Sequence, residues 1–299
     1  MGLAGGRRGV RVGAAALVGL CAAGLSGATS LSGSTGAATT ARTLSFPGTI
    51  EGMTPPQSSG DAWVVSKLSK TKAEMYQMNM LKDTVLGYEA VSPLTDTVSE
   101  SANDSTLAIG TTGGKFPAVV WYSGHTGFYA NTNPSTTPVP AVLVNAAGSG
   151  IYSIRGAPGA YAVSALGLLN GLSYSYPVPG TPVALVLSGA SSVLVLDANG
   201  TVGALTVPGG TYTTDFSTGA PARSMALSPD GSTLWVLRQP SGGSVSIAEV
   251  AVAAGKVVET LSAPRNCTGI ALSADGHTLY EVLAGHGKTE SALKPVAVP

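Results

Sequence analysis

A pattern that returns every 41 to 45 residues constrains this chain more than any other feature, because self-similarity at that spacing dictates a repeat architecture. Residues 224–237 (SMALSPDGSTLWVL) and 269–282 (GIALSADGHTLYEV) share an apolar-Ala-Leu-Ser-x-Asp-Gly-x-Thr-Leu-aromatic core. Weaker copies begin at Val183, Pro140, Ser99 and Ser58. Anchored on the residue ahead of the second apolar run, the copies fall at Ala62, Thr106, Gly150, Ser192, Thr233 and Thr278, in steps of 44, 44, 42, 41 and 45.

Each copy reads as four short strands. In the fifth, the strands are Ser224–Ser228, Leu234–Arg238, Ser244–Val252 and Val257–Leu261, with turns at Pro229-Asp230-Gly231 and Ala253–Lys256. Asp-Gly suits such a turn because both residues tolerate positive φ and the Asp side chain bonds the backbone ahead of it. Ser123–Gly127, Asn170-Gly171 and Pro208–Gly210 fall where third and fourth strands should be joined. Prolines 140, 182, 221 and 264 precede first strands, where no ladder hydrogen bond need be donated. Four strands of about five residues with their turns fill this period, which is the blade pattern of an all-β propeller. The last copy supplies Gly269–Ser273, Thr278–Val282 and Leu293–Val298, so its fourth strand is expected from Arg42–Phe46. Six blades are favoured, and a seventh would have to lie within residues 66–98.

The ends and the composition set the compartment. Arg7, Arg8 and Arg11 precede an apolar run of 14 residues, Val12–Leu25, and then the small residues Ser26-Gly27-Ala28. This is the three-part form of an export signal, too short to span a membrane. Residues 1–28 are therefore expected to be a signal peptide, 29–41 a Ser/Thr/Gly/Ala leader and 42–299 the propeller, secreted or held at the cell surface. A twin-arginine signal at Arg7-Arg8 and lipidation of Cys21 are weaker alternatives. The other cysteine, Cys267, then has no disulfide partner and reads as a small buried hydrophobe. With 16 basic and 16 acidic residues the net charge is zero, which excludes a general nucleic-acid binder. The 44 % of apolar residues excludes a disordered chain.

The Leu-Ser-Pro-Asp-Gly-Ser-Thr-Leu-Trp-Val run at 227–236, its partner at 272–282 and the Gly255-Lys256 turn resemble the YVTN-type β-propeller repeat. The match is good over 221–283, partial over 138–220 and weak before that. The resemblance implies a secreted or periplasmic propeller, lactonase-like in some members.

Chemistry-bearing residues are sparse. Propeller sites are usually formed by the loops leading into the inner strands, which places Arg223 and Ser224 on one blade and Arg265 and Asn266 on the next. Two guanidiniums at similar points could hold a carboxylate or phosphate bidentately. Asp230 and Asp275 are accounted for by their turns, and Trp63, Trp121 and Trp235 by packing between blades. His125, His277 and His286 lack partners at metal-ligand spacing. Residues 66–83 carry Lys67, Lys70, Lys72 and Lys82 beside Met75, Tyr76, Met78 and Met80. A solvated blade edge guarded by lysines explains them better than contact with an anionic polymer. No cofactor, no metal and no catalytic residue are expected. The partner is expected to be an extracellular protein, a glycan or a small anionic ligand, bound by a monomer; a lactonase-like hydrolase with its site at the channel mouth is the alternative.

Overall fold

The anchors of the six copies mark the second strand of every sheet, and that strand is apolar for a geometric reason. In a propeller each sheet packs face to face with a sheet on either side, so its second strand is buried on both faces and loses the usual polar alternation. Along Ser192–Asp197, Val193 and Val195 enter one core cluster while Leu194 and Leu196 enter the next. Thr233–Arg238 repeats this, with Leu234 and Val236 on one side and Trp235 and Leu237 on the other.

The computed structural model describes residues 42–299 except 104, 113–116, 124–128, 241 and 286–289. The expected signal peptide and leader, Cys21, His125, His286 and most of the Ser123–Gly127 turn lie outside the described residues. Among the described residues there are six four-stranded antiparallel sheets in a ring and almost no helix. The chain is a six-bladed β-propeller.

Strand β1 (Leu44–Phe46) precedes the first blade, which comprises β2 (Thr49–Met53), β3 (Asp61–Ser69), β4 (Lys72–Asn79) and β5 (Thr84–Val91). The second blade holds β6 (Thr95–Glu100), β7 (Thr106–Thr111), β8 (Ala118–Ser123) and β9 (Tyr129–Pro134). The third holds β10 (Val142–Val144), β11 (Gly150–Arg155), β12 (Ala162–Gly167) and β13 (Ser173–Pro177). In the fourth are β14 (Pro182–Leu187), β15 (Ser192–Asp197), β16 (Thr201–Thr206) and β17 (Tyr212–Ser217). In the fifth are β18 (Ala222–Leu227), β19 (Thr233–Arg238), β20 (Ser246–Ala251) and β21 (Lys256–Ser262). The sixth combines β22 (Cys267–Leu272), β23 (Thr278–Leu283) and β24 (Ser291–Ala297) with β1, in the order β1-β24-β23-β22. The stretch 66–98 is thus taken up by the first blade and the start of the second, and holds no seventh.

Six core clusters fill the six blade interfaces. The one that closes the ring joins Tyr280, Val282 and Leu293 of the sixth blade and Phe46 of β1 to Ile50, Ala62, Val64 and Met78 of the first. One hydroxyl reinforces it. Ser291 Oγ donates to the Gly48 carbonyl at 2.8 Å and accepts from the Ile50 and Gly285 amides at 3.3 and 3.0 Å.

The Asp-Gly turns behave as their chemistry requires. Asp230 accepts from Ser228 Oγ at 2.6 Å and from the Ser232 amide at 3.0 Å, which holds its carboxyl down at about 2. Asp275 accepts from Ser273 Oγ and the His277 amide and is lowered likewise. Gly231 and Gly276 take φ of 74° and 78°, a region closed to most side chains. The tryptophans lie on β3, β8 and β19, all packed in or against core clusters. Cys267 is fully buried, and burial pushes its thiol up to about 12, as an inert core cysteine should be.

The lysine-and-methionine stretch departs from the expected blade edge. Met75, Met78 and Met80 are buried, and of the four lysines Lys70, Lys72 and Lys82 are exposed. Lys67 is half-buried near the inner strand, opposite Thr49.

Candidate functional site

The inner strands of all six blades surround a central cavity of about 560 Å³. A repeated backbone irregularity shapes its mouth. In five blades the pairing of first with second strand slips by one residue, between Ile50 and Gly52, Thr95 and Thr97, Pro182 and Ala184, Ala222 and Ser224, and Cys267 and Gly269. The extra residue of a bulge is free of the ladder and its side chain can be re-aimed. Those residues are Glu51, Asp96, Val183, Arg223 and Thr268, and all five line the cavity, with Pro140 to Leu143 lining it from the third blade. In each of the five the preceding residue is buried while the bulged one is half or fully exposed.

Charge around this ring is segregated. Glu51 and Asp96 occupy adjacent blades, and both carboxyls are raised above their ordinary values. For Glu51 burial is the larger cause and repulsion from Asp96 the second, with Lys67 opposing. For Asp96 burial again dominates, while Lys67 and the hydrogen bond from the Thr112 backbone amide oppose it. Arg223 stands on the fifth blade, exposed, and makes no ion pair or hydrogen bond to any described residue.

The four residues expected to form the site therefore separate. Arg223 is at the channel. Ser224, the next residue, is a link between inner strands: its hydroxyl accepts from the Ile270 amide at 3.2 Å. Arg265 is exposed in the connection before β22 and is not among the cavity-lining residues. Asn266 ties that connection down, donating to the Ala284 carbonyl at 2.8 Å. The position matching Arg223 on the sixth blade is Thr268, so Arg223 and Arg265 do not form a repeated pair. Glu51 and Asp96 have no motif around them, yet the repeat contains their signal. Asp96, Arg223 and Thr268 each fall ten residues before the anchors Thr106, Thr233 and Thr278, and Glu51 eleven before Ala62.

The raised carboxyls carry a consequence for stability. A carboxyl raised in the folded state binds its proton more tightly there than in the unfolded chain. The pair thus subtracts stability where both are ionised, and that cost is relieved as pH falls through the raised values. Glu51→Gln should therefore be slightly more stable than the parent near pH 7, by at most about 0.5 kcal/mol once solvent screening of this half-exposed group is allowed for. The difference should shrink towards pH 4 in urea unfolding; a constant difference across that range would remove the assigned cause.

Among the described residues no three His, Cys, Asp or Glu side chains gather as metal ligands would. No helix among them is long and apolar enough to cross a membrane. No protein-family model matches the chain, and no curated protein matches it in sequence. Solved structures do match. Kuenenia stuttgartiensis hydrazine synthase aligns with a TM-score of 0.60 at 12 % identity, over 83 % of each chain. The β-propeller domain of Myceliophteria thermophila Cps50 (Swd1) aligns with a TM-score of 0.59 at 11 % identity, over 83 % of this chain and 84 % of that one. At such identities the likeness is one of fold.

Proposed function

We propose that this chain is an exported, non-enzymatic binding propeller of the YVTN-like kind, acting as a monomer and holding its ligand at the mouth of the central channel. The observation that carries this reading is the ring of bulges. Five inner strands distort at the same point and turn charged, polar or apolar side chains into one cavity, of the size that takes a small ligand. Arg223 is the anchor for an anionic group, because its guanidinium is exposed to the cavity and engaged by nothing else among the described residues. Export rests on the basic, apolar and small-residue segments of residues 1–28, with 29–41 as the leader.

A screen of thermal midpoints against carboxylates, phosphates, anionic sugars, lactones and divalent metals tests it. A ligand at a hundred times its dissociation constant adds about 2.7 kcal/mol, which raises the midpoint by several degrees. An anionic compound should do so for the parent and fail to for Arg223→Ala. An equal shift in that variant overturns the site, and no shift with any compound overturns the small-ligand reading. A lactonase-like hydrolase is the second reading, favoured by the raised Glu51 and Asp96 carboxyls, which suit acid–base work. Lactone turnover that disappears in Glu51→Gln would replace the first reading with this one.

A further inference from the structure

The channel mouth is charged unevenly, with Glu51 and Asp96 on one side and Arg223 on another. The inner strands follow round the ring in chain order, each approaching the next from β2 through β6, β10, β14 and β18 to β22. The second and fifth of six blades are three steps apart in either direction, so Asp96 and Arg223 face each other across the channel. Glu51 stands on the blade next to that of Asp96, close enough for the Asp96 charge to raise its carboxyl. Lys67 lies near both carboxylates but forms no ion pair with either. Glu51 accepts no hydrogen bond from any described residue, and Asp96 accepts from Thr112, at its hydroxyl and its backbone amide. The lining further along the inner strands includes apolar side chains, Leu185 and Leu187 of β14 and Leu227 of β18, with Val183 at the ring of bulges.

We propose that the site takes a small zwitterion with an apolar body, a short peptide with free termini: Glu51 and Asp96 receive the ammonium, Arg223 the carboxylate. This deepens the reading above and rests on it. An ammonium carries three N–H donors and no acceptor, which two adjacent carboxylates can serve together. A carboxylate fits the planar fork of a guanidinium. A plain anion gains only the Arg223 contact and a plain cation only the carboxylates, so the opposed charges favour a molecule bearing both.

The test is calorimetric titration of the full chain with trialanine and tetraalanine near neutral pH and low salt, beside their N-acetylated and C-amidated forms. At least one free peptide should bind, and blocking either terminus should weaken it tenfold or more. Glu51→Gln/Asp96→Asn should abolish the preference for a free amino terminus while keeping that for a free carboxylate, and Arg223→Gln should do the reverse. Circular dichroism and the thermal midpoint confirm that each variant is folded. If acetylated and free peptides bind equally and both need Arg223, the zwitterion assignment is overturned while the anion site stands. Failure of both free peptides to bind also overturns it, and only a channel that takes nothing in the wider screen removes the site itself.

Discussion

Phe46→Ala should cost about 3–5 kcal/mol of unfolding free energy, the usual loss for a buried aromatic truncated in a core. Phe46 is 3 % exposed, meets Tyr76 edge-on at 5.8 Å and packs in the cluster that joins the last blade to the first. Its strand is short, with only Leu44↔Leu293, Ser45↔Ala292 and Phe46↔Ser291 holding it to β24. Loss of the ring side chain should therefore loosen the whole closing strand and bare the edge of β24. Exposed strand edges recruit other chains, so light scattering on heating should rise as well. Val85→Ala, on the outermost strand of the first blade and 47 % exposed, should change stability by no more than about 0.5 kcal/mol. Urea unfolding of the two variants makes the comparison, and equal stabilities would mean that β1 does not close the ring.

Lys294→Ala should cost a similar amount for a different reason. Glu281 and Lys294 face each other across β23 and β24, with Lys294 Nζ 2.9 Å from Glu281 Oε2. The glutamate side chain is 2 % exposed and the lysine 44 %. The lysine reaches in from the surface to a charge shut away from water, and the pair is asymmetric. Removing the lysine strands a buried carboxylate, which costs about 3–5 kcal/mol. In a domain of this size that lowers the thermal midpoint by on the order of 10 °C. Replacing both partners with apolar residues, Glu281→Leu/Lys294→Met, should recover most of the loss, because no charge is then left unpaired. A double variant as unstable as Lys294→Ala would show that shape, not charge, sets the cost.

Blade number, strand order and ring closure were all legible in the amino-acid sequence, and for local reasons. The second strand of each blade is buried on both faces, so its apolar run is dense enough to be seen six times, from AWVV at Ala62 to TLYEV at Thr278. Asp-Gly turns such as those at Asp230 and Asp275 are set by bonds within a few residues. RTLSF at 42–46 was recognisable as the missing strand because the last copy lacks one. The proposed site was legible only in part: Arg223 was a candidate from its place at the head of a copy, while its grouping with Glu51 and Asp96 came from tertiary structure. Glu51, Asp96 and Arg223 come from three separate copies and share an offset of ten or eleven residues from the anchors and a one-residue slip of pairing, which has no composition of its own. By sequence Arg265 matches Arg223, because both lie just after a proline at the head of a copy. The bulge gives that place to Thr268 instead, since register, which is fixed by pairing with the second strand, settles which residue of a loop faces the channel.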